Sequence, residues 1–484
     1  MNILFAASEC APFIKTGGLG DVAQALPCEL AKNNDNEVVV FLPFYGNIKY
    51  NADFKPEFVS CFGVSLAWRS QYCGLFKYRE KGKKRTVTYY FIDNEYYFCR
   101  GGCYGYNDDG ERFAFFSKAV LEALQHIDFH PDVIHCNDWQ TGFVPLFYKA
   151  FYSDLPGYQN IRTVFTIHNI EYQGKADNSF LSEVLGVSEY WRNIVTFDNC
   201  INAMKSAIVL CDKLTTVSPT YSCEILYAYF AHGLEGILRE NSYKLSGIVN
   251  GINTELYNPA SDTKIYKQYS HGDISGKDEN KKFLRQQLGL EQKNNTPLFA
   301  VVSRLVAHKG VDLIEKVMND LAQMDIQLVV LGTGDKQYED TFKYYDYAYR
   351  DKISANIKFD GTLANQIYAA ADFLLMPSKS EPCGLSQLIA MRYGTIPVVR
   401  ETGGLYDSIK GYWIRDGEVM GNGFTFSDYS ADQLMERTCA ALALYRDRDA
   451  FDALVKKIMQ IDFSWQVSAM QYLRMYDALT GGAE

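Results

Sequence analysis

The fold of this chain is predicted from its N-terminal stretch, Asn2-Ile-Leu-Phe-Ala-Ala-Ser-Glu-Cys-Ala-Pro-Phe-Ile-Lys15-Thr16-Gly17-Gly18-Leu19-Gly20-Asp21-Val22. Ile3 to Ala7 is a short apolar run, typical of a buried parallel strand. The amphipathic run from Val22 to Ala31 predicts a helix. Ligands of open α/β sheets lie outside the carboxyl ends of the strands, where glycines and helix N-termini can approach an anion. The stretch therefore predicts an α/β domain whose loop from Lys15 onward binds a phosphate-bearing substrate.

The loop alone leaves an alternative open, because many α/β domains contain a strand, a glycine loop and a helix without binding phosphate. Gly17-Gly18-Leu19-Gly20 lacks the G-x-G-x-x-G spacing of dinucleotide-binding proteins. It also lacks the G-x-x-x-x-G-K-[ST] pattern of a P-loop. The remaining motifs must decide between the two interpretations.

Length and composition limit the class of protein. With 484 residues the chain is too long for one core, which predicts two or three domains. Hydrophobic residues make up 47% of it, and no apolar run approaches the roughly 20 residues of a membrane span. The sequence opens directly into a strand without a signal-peptide pattern, so we expect a cytoplasmic protein. A net charge of −10 argues against nucleic acid or an anionic membrane as a partner.

Cysteine and histidine spacing indicates neither a disulfide framework nor a metal site. The 12 cysteines include no C-x-x-C pair, and Cys136, Cys211 and Cys439 lie in apolar strand or helix patterns. Reduced core thiols are therefore predicted. The seven histidines form no close set with cysteine or aspartate, so no metal and no cofactor are expected.

Strand and helix patterns repeat in two halves of the chain. In the first half, strands are predicted at Val38 to Leu42, Asp132 to Asn137 and Thr163 to Ile167, with a β-meander over residues 57–92. Near residue 245 the pattern restarts. The strands predicted in the second half begin at Leu298, Gln327, Asp372 and Ile396. Strands separated by helices imply βαβ units and parallel sheets, so we predict an α/β fold of two facing Rossmann-like domains.

The predicted domains span residues 1–245 and 246–460. Residues 461–484 are predicted to form a C-terminal helix that packs back on the first domain, and Ser261 to Asn280 to form an insertion or surface loop in the second. Two such domains would enclose a cleft between their strand ends. A cleft of this kind suits a nucleotide sugar, and it also suits the cofactor of a dehydrogenase.

Three strand-to-helix junctions of the second half carry residues suited to a sugar phosphate. In Ser303-Arg304-Leu-Val-Ala-His-Lys309-Gly310, two cations could clamp a diphosphate, or could be an exposed arginine and a capping lysine. Ser380-Glu381-Pro-Cys383-Gly384-Leu-Ser-Gln places a carboxylate where it could act on a sugar hydroxyl or an anomeric carbon, or merely precede a helix. Val399-Arg-Glu-Thr402-Gly403-Gly404-Leu could offer backbone amides to a phosphate.

Two motifs of the first half also end predicted strands. Phe165-Thr-Ile-His168-Asn169-Ile-Glu-Tyr-Gln-Gly carries a histidine that could donate a hydrogen bond to a sugar hydroxyl or serve a structural role. The other motif is His135-Cys-Asn-Asp138-Trp139-Gln140.

Together these motifs resemble bacterial glycogen synthases and plant starch synthases. The resemblance begins with Lys-Thr-Gly-Gly-Leu-Gly-Asp-Val at residue 15 and covers almost the whole chain. It includes Val249-Asn250-Gly251-Ile252-Asn253, which is similar to the family's interdomain crossover. Two positions depart from the family. The family often has histidine where Gln140 stands, and some members have tyrosine where Phe98 stands. The resemblance implies the GT-B architecture with an interdomain active-site cleft.

The resemblance also implies roles for individual residues. Lys15, Arg304 and Lys309 would stabilise a departing diphosphate, while His168 and Glu381 would act at the transferred glucose. Further donor-binding residues implied by it are Gly17, Gly18, Asn250, Cys383, Gly384, Leu385, Thr402, Gly403 and Gly404. The acceptor-binding residues implied by it are Asp21, Asp138 and Asn169.

The predicted function is that of a retaining, metal-independent glucosyltransferase that extends the non-reducing end of an α-1,4-glucan. Its donor would be ADP-glucose or UDP-glucose, and the bacterial-type motifs favour ADP-glucose. One alternative is a glycoside hydrolase, which needs two carboxylates beside the bond that it cleaves. The other is a catalytically silent protein that binds a nucleotide sugar or a glucan.

Overall fold

The computed structural model describes residues 1–33, 35–80, 87–415 and 418–481. The chain divides into two compact units, one of Met1–Ile248 with the C-terminal segment that begins at Trp465, and one of Val249–Ser464. Each unit contains a mainly parallel sheet and its own hydrophobic core, as predicted.

A nine-stranded sheet forms the centre of the first unit. The strands of this unit are β1 (Asn2–Ala6), β2 (Glu37–Pro43), β3 (Glu57–Leu66), β4 (Arg69–Arg79), β5 (Thr88–Asp93), β6 (Val133–Asn137), β7 (Arg162–Ile167), β8 (Lys175–Ala176), β9 (Thr196–Phe197), β10 (Cys200–Asn202), β11 (Lys213–Thr216) and β12 (Leu245–Gly247). The sheet has the order β12-β11-β7-β6-β1-β2-β5-β4-β3, parallel from β12 to β5, with β4 and β3 added antiparallel. The predicted meander corresponds to β3, β4 and β5, and residues 81–86 of that prediction lie outside the described residues. Strands β8, β10 and β9 pair separately.

Helices cover the first sheet. They are α1 (Gly18–Leu30), α2 (Gly46–Lys49), α3 (Glu95–Phe98), α4 (Asp109–Ala123), α5 (Val144–Phe147), α6 (Arg192–Val195), α7 (Ala203–Leu210), α8 (Pro219–Glu224), α9 (Ala228–Ala231) and α10 (Glu235–Glu240). Helix α1 begins four residues before the predicted start at Val22, because Gly17 takes the N-cap position in extended conformation.

The second unit contains a six-stranded sheet in which neighbouring strands are parallel. The strands of the whole unit, two of which lie outside this sheet, are β13 (Leu298–Val302), β14 (Gln327–Leu331), β15 (Ile353–Asn356), β16 (Phe373–Met376), β17 (Ile396–Arg400), β18 (Trp413–Arg415), β19 (Glu418–Met420) and β20 (Phe424–Phe426). Its helices are α11 (Ser275–Leu288), α12 (Val311–Gln323), α13 (Lys336–Ala348), α14 (Gly361–Ala370), α15 (Ser386–Arg392), α16 (Gly403–Ser408), α17 (Ala431–Arg446) and α18 (Arg448–Ile458). The sheet order is β15-β14-β13-β16-β17-β20, and β18 pairs with β19 as a small hairpin.

Apolar periodicity explains how these helices pack. In α12 the buried residues Val311, Ile314, Val317, Met318 and Leu321 recur at helical spacing and form one apolar face. Burial of each such side chain contributes about 1.5–3 kcal/mol relative to exposure. Central parallel strands such as β13 and β16 are apolar throughout because both faces of the sheet are covered.

The C-terminal helix α19 (Trp465–Thr480) belongs to the core of the first unit. Trp465, Tyr472 and Tyr476 are buried there. The Tyr476 hydroxyl lies 2.6 Å from Nδ1 of His135 on β6, which ties the helix to the middle of the sheet. None of the helices within the described ranges is long and apolar enough to cross a membrane.

Two sequence-based expectations hold only in part. The segment from Ser261 to Asn280, predicted as an insertion or surface loop, is not a loop throughout, because α11 begins in it at Ser275 and because Tyr269, Lys277 and Asn280 are buried. The Lys277 ammonium donates to the carbonyl of Tyr393 at 3.1 Å, among other buried oxygens. All 12 cysteines are free thiols, but Cys439 is exposed because it lies off the buried face of α17. Cys136 and Cys211 are buried as predicted.

Candidate active site

The second sheet has its topological switch point between β13 and β16. From these neighbours the chain continues to opposite sides of the sheet, which opens a crevice at their carboxyl ends. A cavity of about 310 Å³ lies elsewhere in the unit, whereas one of about 190 Å³ lies at this crevice. The residues lining the cavity at the crevice are Val301, Ser303, Arg304, Lys309, Leu375, Met376, Ser378, Glu381, Gly384, Leu385 and Ser386. Five of them were predicted site residues, which the fold therefore brings together.

An ion pair lies in this cavity. The Lys309 ammonium is 2.8 Å from Oε1 and 2.7 Å from Oε2 of Glu381, and the Ser378 hydroxyl donates to Oε2 at 3.2 Å. Glu381 is buried and Lys309 is mostly so. A partly desolvated pair of this geometry is stronger than a surface pair, and removing one partner leaves the other charge uncompensated.

Arg304 differs from Lys309 in being exposed. It follows β13, and its guanidinium is 3.4 Å from Nε2 of His308. An exposed guanidinium at the carboxyl end of a parallel strand can bind phosphate oxygens in bidentate geometry. The cavity thus has one cation that is paired with a carboxylate and a second that projects into solvent.

The glycines of the second unit allow two loops to touch. A Cβ on Gly403 would lie 2.0 Å from the carbonyl oxygen of Glu381, and one on Gly404 would lie 2.1 Å from that of Cys383. The Gly404 amide donates to the Glu381 carbonyl at 3.1 Å. Thr402, which precedes them, is fully buried. In this structure these residues pack against the backbone of the Glu381 loop and hold it in place.

The turn after Glu381 is equally constrained. Gly384 has φ +73°, and a Cβ there would lie 2.5 Å from Oε1 of Gln387. Burial raises the pKa of the Cys383 thiol to about 12, and the thiol accepts a hydrogen bond from the backbone of Asn250. The side-chain Oδ1 of Asn250 is buried and has no hydrogen-bond partner among the described residues. The cavity is therefore lined by Gly384 and Leu385, and Cys383 lies between Glu381 and Gly384 in the chain and contacts Asn250.

The first sheet has its switch point between β1 and β6. The loop after β1 carries Lys15, whose ammonium is 2.7 Å from Oδ1 of Asp21 on α1. Both side chains are about a third or more exposed, so this surface pair is weak. A Cβ on Gly20 would lie 3.1 Å from Cγ of Lys15, so the glycine makes room for the lysine stem.

A buried carboxylate holds this loop from inside. Oε2 of Glu9 accepts hydrogen bonds from the amide and hydroxyl of Thr16 and from the amide of Gly17, the last at 3.2 Å. Glu9 is 4% exposed. The Gly17 amide, predicted to bind the donor, is thus committed to Glu9 in this structure, while the outer face of Gly18 has open space.

The ends of β6 and β7 are joined through Asp138. Its Oδ1 accepts the amide of His168 at 2.7 Å and that of Asn169 at 3.3 Å. Asp138 has φ +56°, a strained conformation for a residue other than glycine. Burial raises the pKa of its carboxyl to about 7, although the two amides oppose the shift. Burial also lowers the pKa of His168 to about 3, so its ring is neutral at physiological pH.

Sequence reasoning missed three residues that support these sites, namely Glu9, Asn137 and Ser378. Glu9 comes three residues after β1 and has a readable signal, because a carboxylate near a glycine loop can accept its amides. Asn137 has no such signal, since its partner His168 lies 31 positions away on another strand end, whereas Ser378 lies three residues before its partner Glu381 in the same loop.

Family models match both halves of the chain. Residues 2–240 match the model described as starch synthase catalytic domain, and residues 280–457 match that of glycosyl transferases group 1. A glycogen synthase of Clostridium botulinum (strain Alaska E43 / Type E3) is 49% identical over 484 residues, covering 99% of this chain and 100% of that protein. This chain belongs to the glycogen synthase and starch synthase family. As a member of that family it is a glycosyltransferase, which confirms the predicted class of enzyme.

Other members of the family support the assignment. A glycogen synthase of Ligilactobacillus salivarius (strain UCC118) is 47% identical over 481 residues, covering 99% of this chain and 100% of that protein. The solved structure of the catalytic domain of starch synthase IV from Arabidopsis thaliana, bound to ADP and acarbose, has a TM-score of 0.89 and 35% identity, with 99% of both chains covered. Sucrose-phosphate synthase from Thermosynechococcus elongatus has a TM-score of 0.61, full coverage of both chains and 18% identity, and so supports the fold alone. The predicted GT-B fold class is confirmed.

Proposed function

We propose that this member of the glycogen synthase and starch synthase family transfers glucose from ADP-glucose to the non-reducing end of an α-1,4-glucan, with retention of anomeric configuration. The observation that carries the proposal is the Lys309–Glu381 pair beside the exposed Arg304, in a cavity at the switch point of the second sheet. ADP as the released nucleotide is supported by the starch synthase IV domain, which is 35% identical and was solved with ADP. UDP-glucose is the donor that a direct comparison must exclude.

The cations would act on the leaving group. When the bond between the anomeric carbon and the phosphate oxygen breaks, negative charge grows on the diphosphate, and Arg304 and Lys309 would neutralise it. Lys15 is proposed as a third cation for the same charge. A glucan hydroxyl forms the new bond to the anomeric carbon, and its proton passes to the departing phosphate oxygen. No metal is required in this scheme.

The carboxylate of Glu381 would act at the sugar. Positive charge develops at the anomeric carbon as the leaving group departs, and an anion nearby stabilises it. Because both oxygens of Glu381 contact Lys309, a bound diphosphate would compete with Glu381 for the same ammonium. Donor binding would then loosen the pair and leave Glu381 more strongly negative beside the sugar.

The remaining predicted residues keep proposed binding roles. Donor contacts are proposed for Gly17, Gly18, His168, Asn250, Cys383, Gly384, Leu385, Thr402, Gly403 and Gly404. Acceptor contacts are proposed for Asp21, Asp138 and Asn169.

The chemistry of the cavity favours transfer over hydrolysis. Glu381 is the one carboxylate among the described residues that line it, whereas a hydrolase needs two carboxylates beside the bond. Lys15, Arg304 and Glu381 are all present, which supports an active transferase over a silent binding protein.

The test is ADP release from ADP-glucose by the purified chain, with and without glycogen. A transferase releases ADP and lengthens glycogen only when both substrates are present. Sugar released from glycogen without donor would indicate a hydrolase, and donor binding without ADP release would indicate a silent protein. Competing ADP-glucose against UDP-glucose in one reaction then decides the donor, and proton NMR of the new linkage decides retention.

A further inference from the structure

The end of strand β6 carries a buried amide whose orientation is determined by its surroundings. The Nδ2 group of Asn137 donates to the carbonyl of Ala6 at 3.1 Å and to that of His135 at 3.3 Å. Asn137 is 1% exposed. Because both partners are carbonyls, they can only accept, and the amide nitrogen must face them. Oδ1 of Asn137 therefore points the other way.

That oxygen meets the ring of His168. The distance from Oδ1 of Asn137 to Nε2 of His168 is 2.9 Å. A carbonyl oxygen cannot donate, so the hydrogen on this bond must belong to Nε2. We propose that Asn137 is a positioning residue that holds His168 as the Nε2–H tautomer, so that His168 presents Nδ1 as a hydrogen-bond acceptor for a hydroxyl of the transferred sugar.

One further contact and the charge state of the ring support the arrangement. The backbone amide of His168 donates to Oδ1 of Asp138 at 2.7 Å, which anchors the residue on the same strand end as Asn137. The ring is neutral, because burial lowers its pKa to about 3, and a neutral imidazole has one donor and one acceptor nitrogen. With the donor used by Asn137, the acceptor remains for a ligand.

The proposal reverses the direction of hydrogen bonding expected from the sequence, where His168 was a possible donor to a sugar hydroxyl. A hydroxyl that donates to Nδ1 cannot be replaced by fluorine, which can only accept. This part of the inference rests on the proposed glucosyl transfer, whereas the tautomer itself is a property of the unliganded chain.

The first measurement is therefore made without substrate. Two-bond proton–nitrogen NMR spectra of the full chain with ¹⁵N-labelled histidine report which ring nitrogen carries the proton, and His168→Gln identifies the signal. We expect the Nε2–H pattern for His168. A proton on Nδ1 of His168 in the wild type would overturn the proposal.

Variants then test whether Asn137 sets the tautomer. Asn137→Leu keeps the side-chain size and removes the acceptor, so the Nδ1–H form should appear, whereas Asn137→Asp keeps an acceptor oxygen and should retain Nε2–H. Asn202→Ala is the matched control, because Asn202 is also fully buried in the first unit and caps α7 through Lys205 without touching His168. It should lower the melting temperature and leave the His168 signal unchanged. An unchanged Nε2–H pattern in folded Asn137→Leu would contradict the role of Asn137, and Asn137→Ser provides a second variant if the leucine form does not fold.

Kinetics separate positioning from mere stability. Asn137→Leu should lower kcat about tenfold, the size of one lost hydrogen bond, with unchanged affinity for ADP, and Asn137→Asp should restore part of it. Donor analogues identify the sugar hydroxyl that His168 contacts. It is the position at which removal of the hydroxyl slows the wild type but no longer slows His168→Gln. At this position we expect the deoxyfluoro donor to be as poor a substrate of the wild type as the monodeoxy donor. If the deoxyfluoro donor restored wild-type activity at that position, His168 would be the donor of the hydrogen bond and the proposal would be wrong. Failure of the proposed function would instead appear as no ADP release by a wild type whose tautomer is as expected.

Discussion

The switch points of the two sheets use carboxylates in different ways. In the second unit Glu381 binds a side-chain cation, Lys309, through both oxygens. In the first unit Glu9 and Asp138 bind backbone amides and thereby hold loops. A paired charge can be exchanged by an incoming anion, whereas a carboxylate bound to backbone defines geometry. We therefore expect substitutions in the second unit to change chemistry, and those of Glu9 and Asp138 in the first to change loop stability.

The largest effect is expected for Glu381→Gln. The glutamine keeps the shape but removes the charge, so kcat should fall by orders of magnitude, as for an interaction made mainly in the transition state. Affinity for ADP should be retained or increase, because Lys309 is freed from its carboxylate. A glucosyl-transfer assay beside calorimetric titration with ADP measures both.

The matched control is Glu291→Gln, since Glu291 also pairs with a lysine at 2.8 Å but lies on the surface of the same unit. It should leave kcat unchanged. If Glu381→Gln kept its turnover and lost only melting temperature, Glu381 would be a structural residue and the comparison between the units would fail.

A smaller but still large loss is expected for Lys15→Gln. Loss of one preorganised cation costs about 2–4 kcal/mol of transition-state stabilisation, which is a fall in turnover of about thirtyfold to a thousandfold. The melting temperature should hardly change, because the lysine is exposed and its pair with Asp21 is weak. Steady-state kinetics at saturating donor and a melting curve check this.

Lys32→Gln provides the control for that lysine, since Lys32 also pairs with an acidic residue of the first unit on the surface. Equal turnover of Lys15→Gln and Lys32→Gln would remove the phosphate role of Lys15. It would leave Arg304 and Lys309 as the proposed cations of the reaction.

The pH dependence of stability tests the Asp138 carboxyl at the end of β6. The pKa of Asp138 is raised to about 7, so between its unfolded value and about pH 7 the folded chain binds more protons than the unfolded chain. Its contribution to stability is therefore present at acid pH and is lost as the pH rises through 7. Asp138→Asn cannot titrate, so its melting temperature relative to the wild type should rise from about pH 5 to about pH 8. A pH-independent difference in calorimetry would contradict the shifted pKa.

Chelation of divalent cations is expected to leave turnover unchanged, which is the smallest effect. Basic side chains are proposed to take the place of a divalent cation, and within the described ranges no group of three or more His, Cys, Asp or Glu could hold one. Turnover in excess EDTA should equal turnover in its absence. Activity that disappears with EDTA and returns with magnesium or manganese would contradict the metal-free scheme.

Several elements of the fold and site could be predicted from sequence. Parallel strands such as β13 and β16 are apolar throughout, and α12 has a single apolar face, so local pattern and structure agree. Arg304, Lys309 and Glu381 could be named because each follows a strand, where the carboxyl end of a parallel sheet opens. The segment from Ser261 to Asn280 was predicted less well, because α11 begins inside it and the partner of its buried Lys277 lies far along the chain.

Sequence by itself determined the α/β class, the strand ends that carry the site and the family, because these depend on local residue pattern and on motif order. Only the tertiary structure decided which groups are bound to each other. Lys309 and Glu381 are 72 positions apart, Asn137 and His168 are 31 apart, and the Gly403 backbone rests on the Glu381 carbonyl. Such contacts arise where separate strands end at one edge of a sheet, and no local pattern records which ends become neighbours or which hydrogen-bonding direction a histidine must adopt.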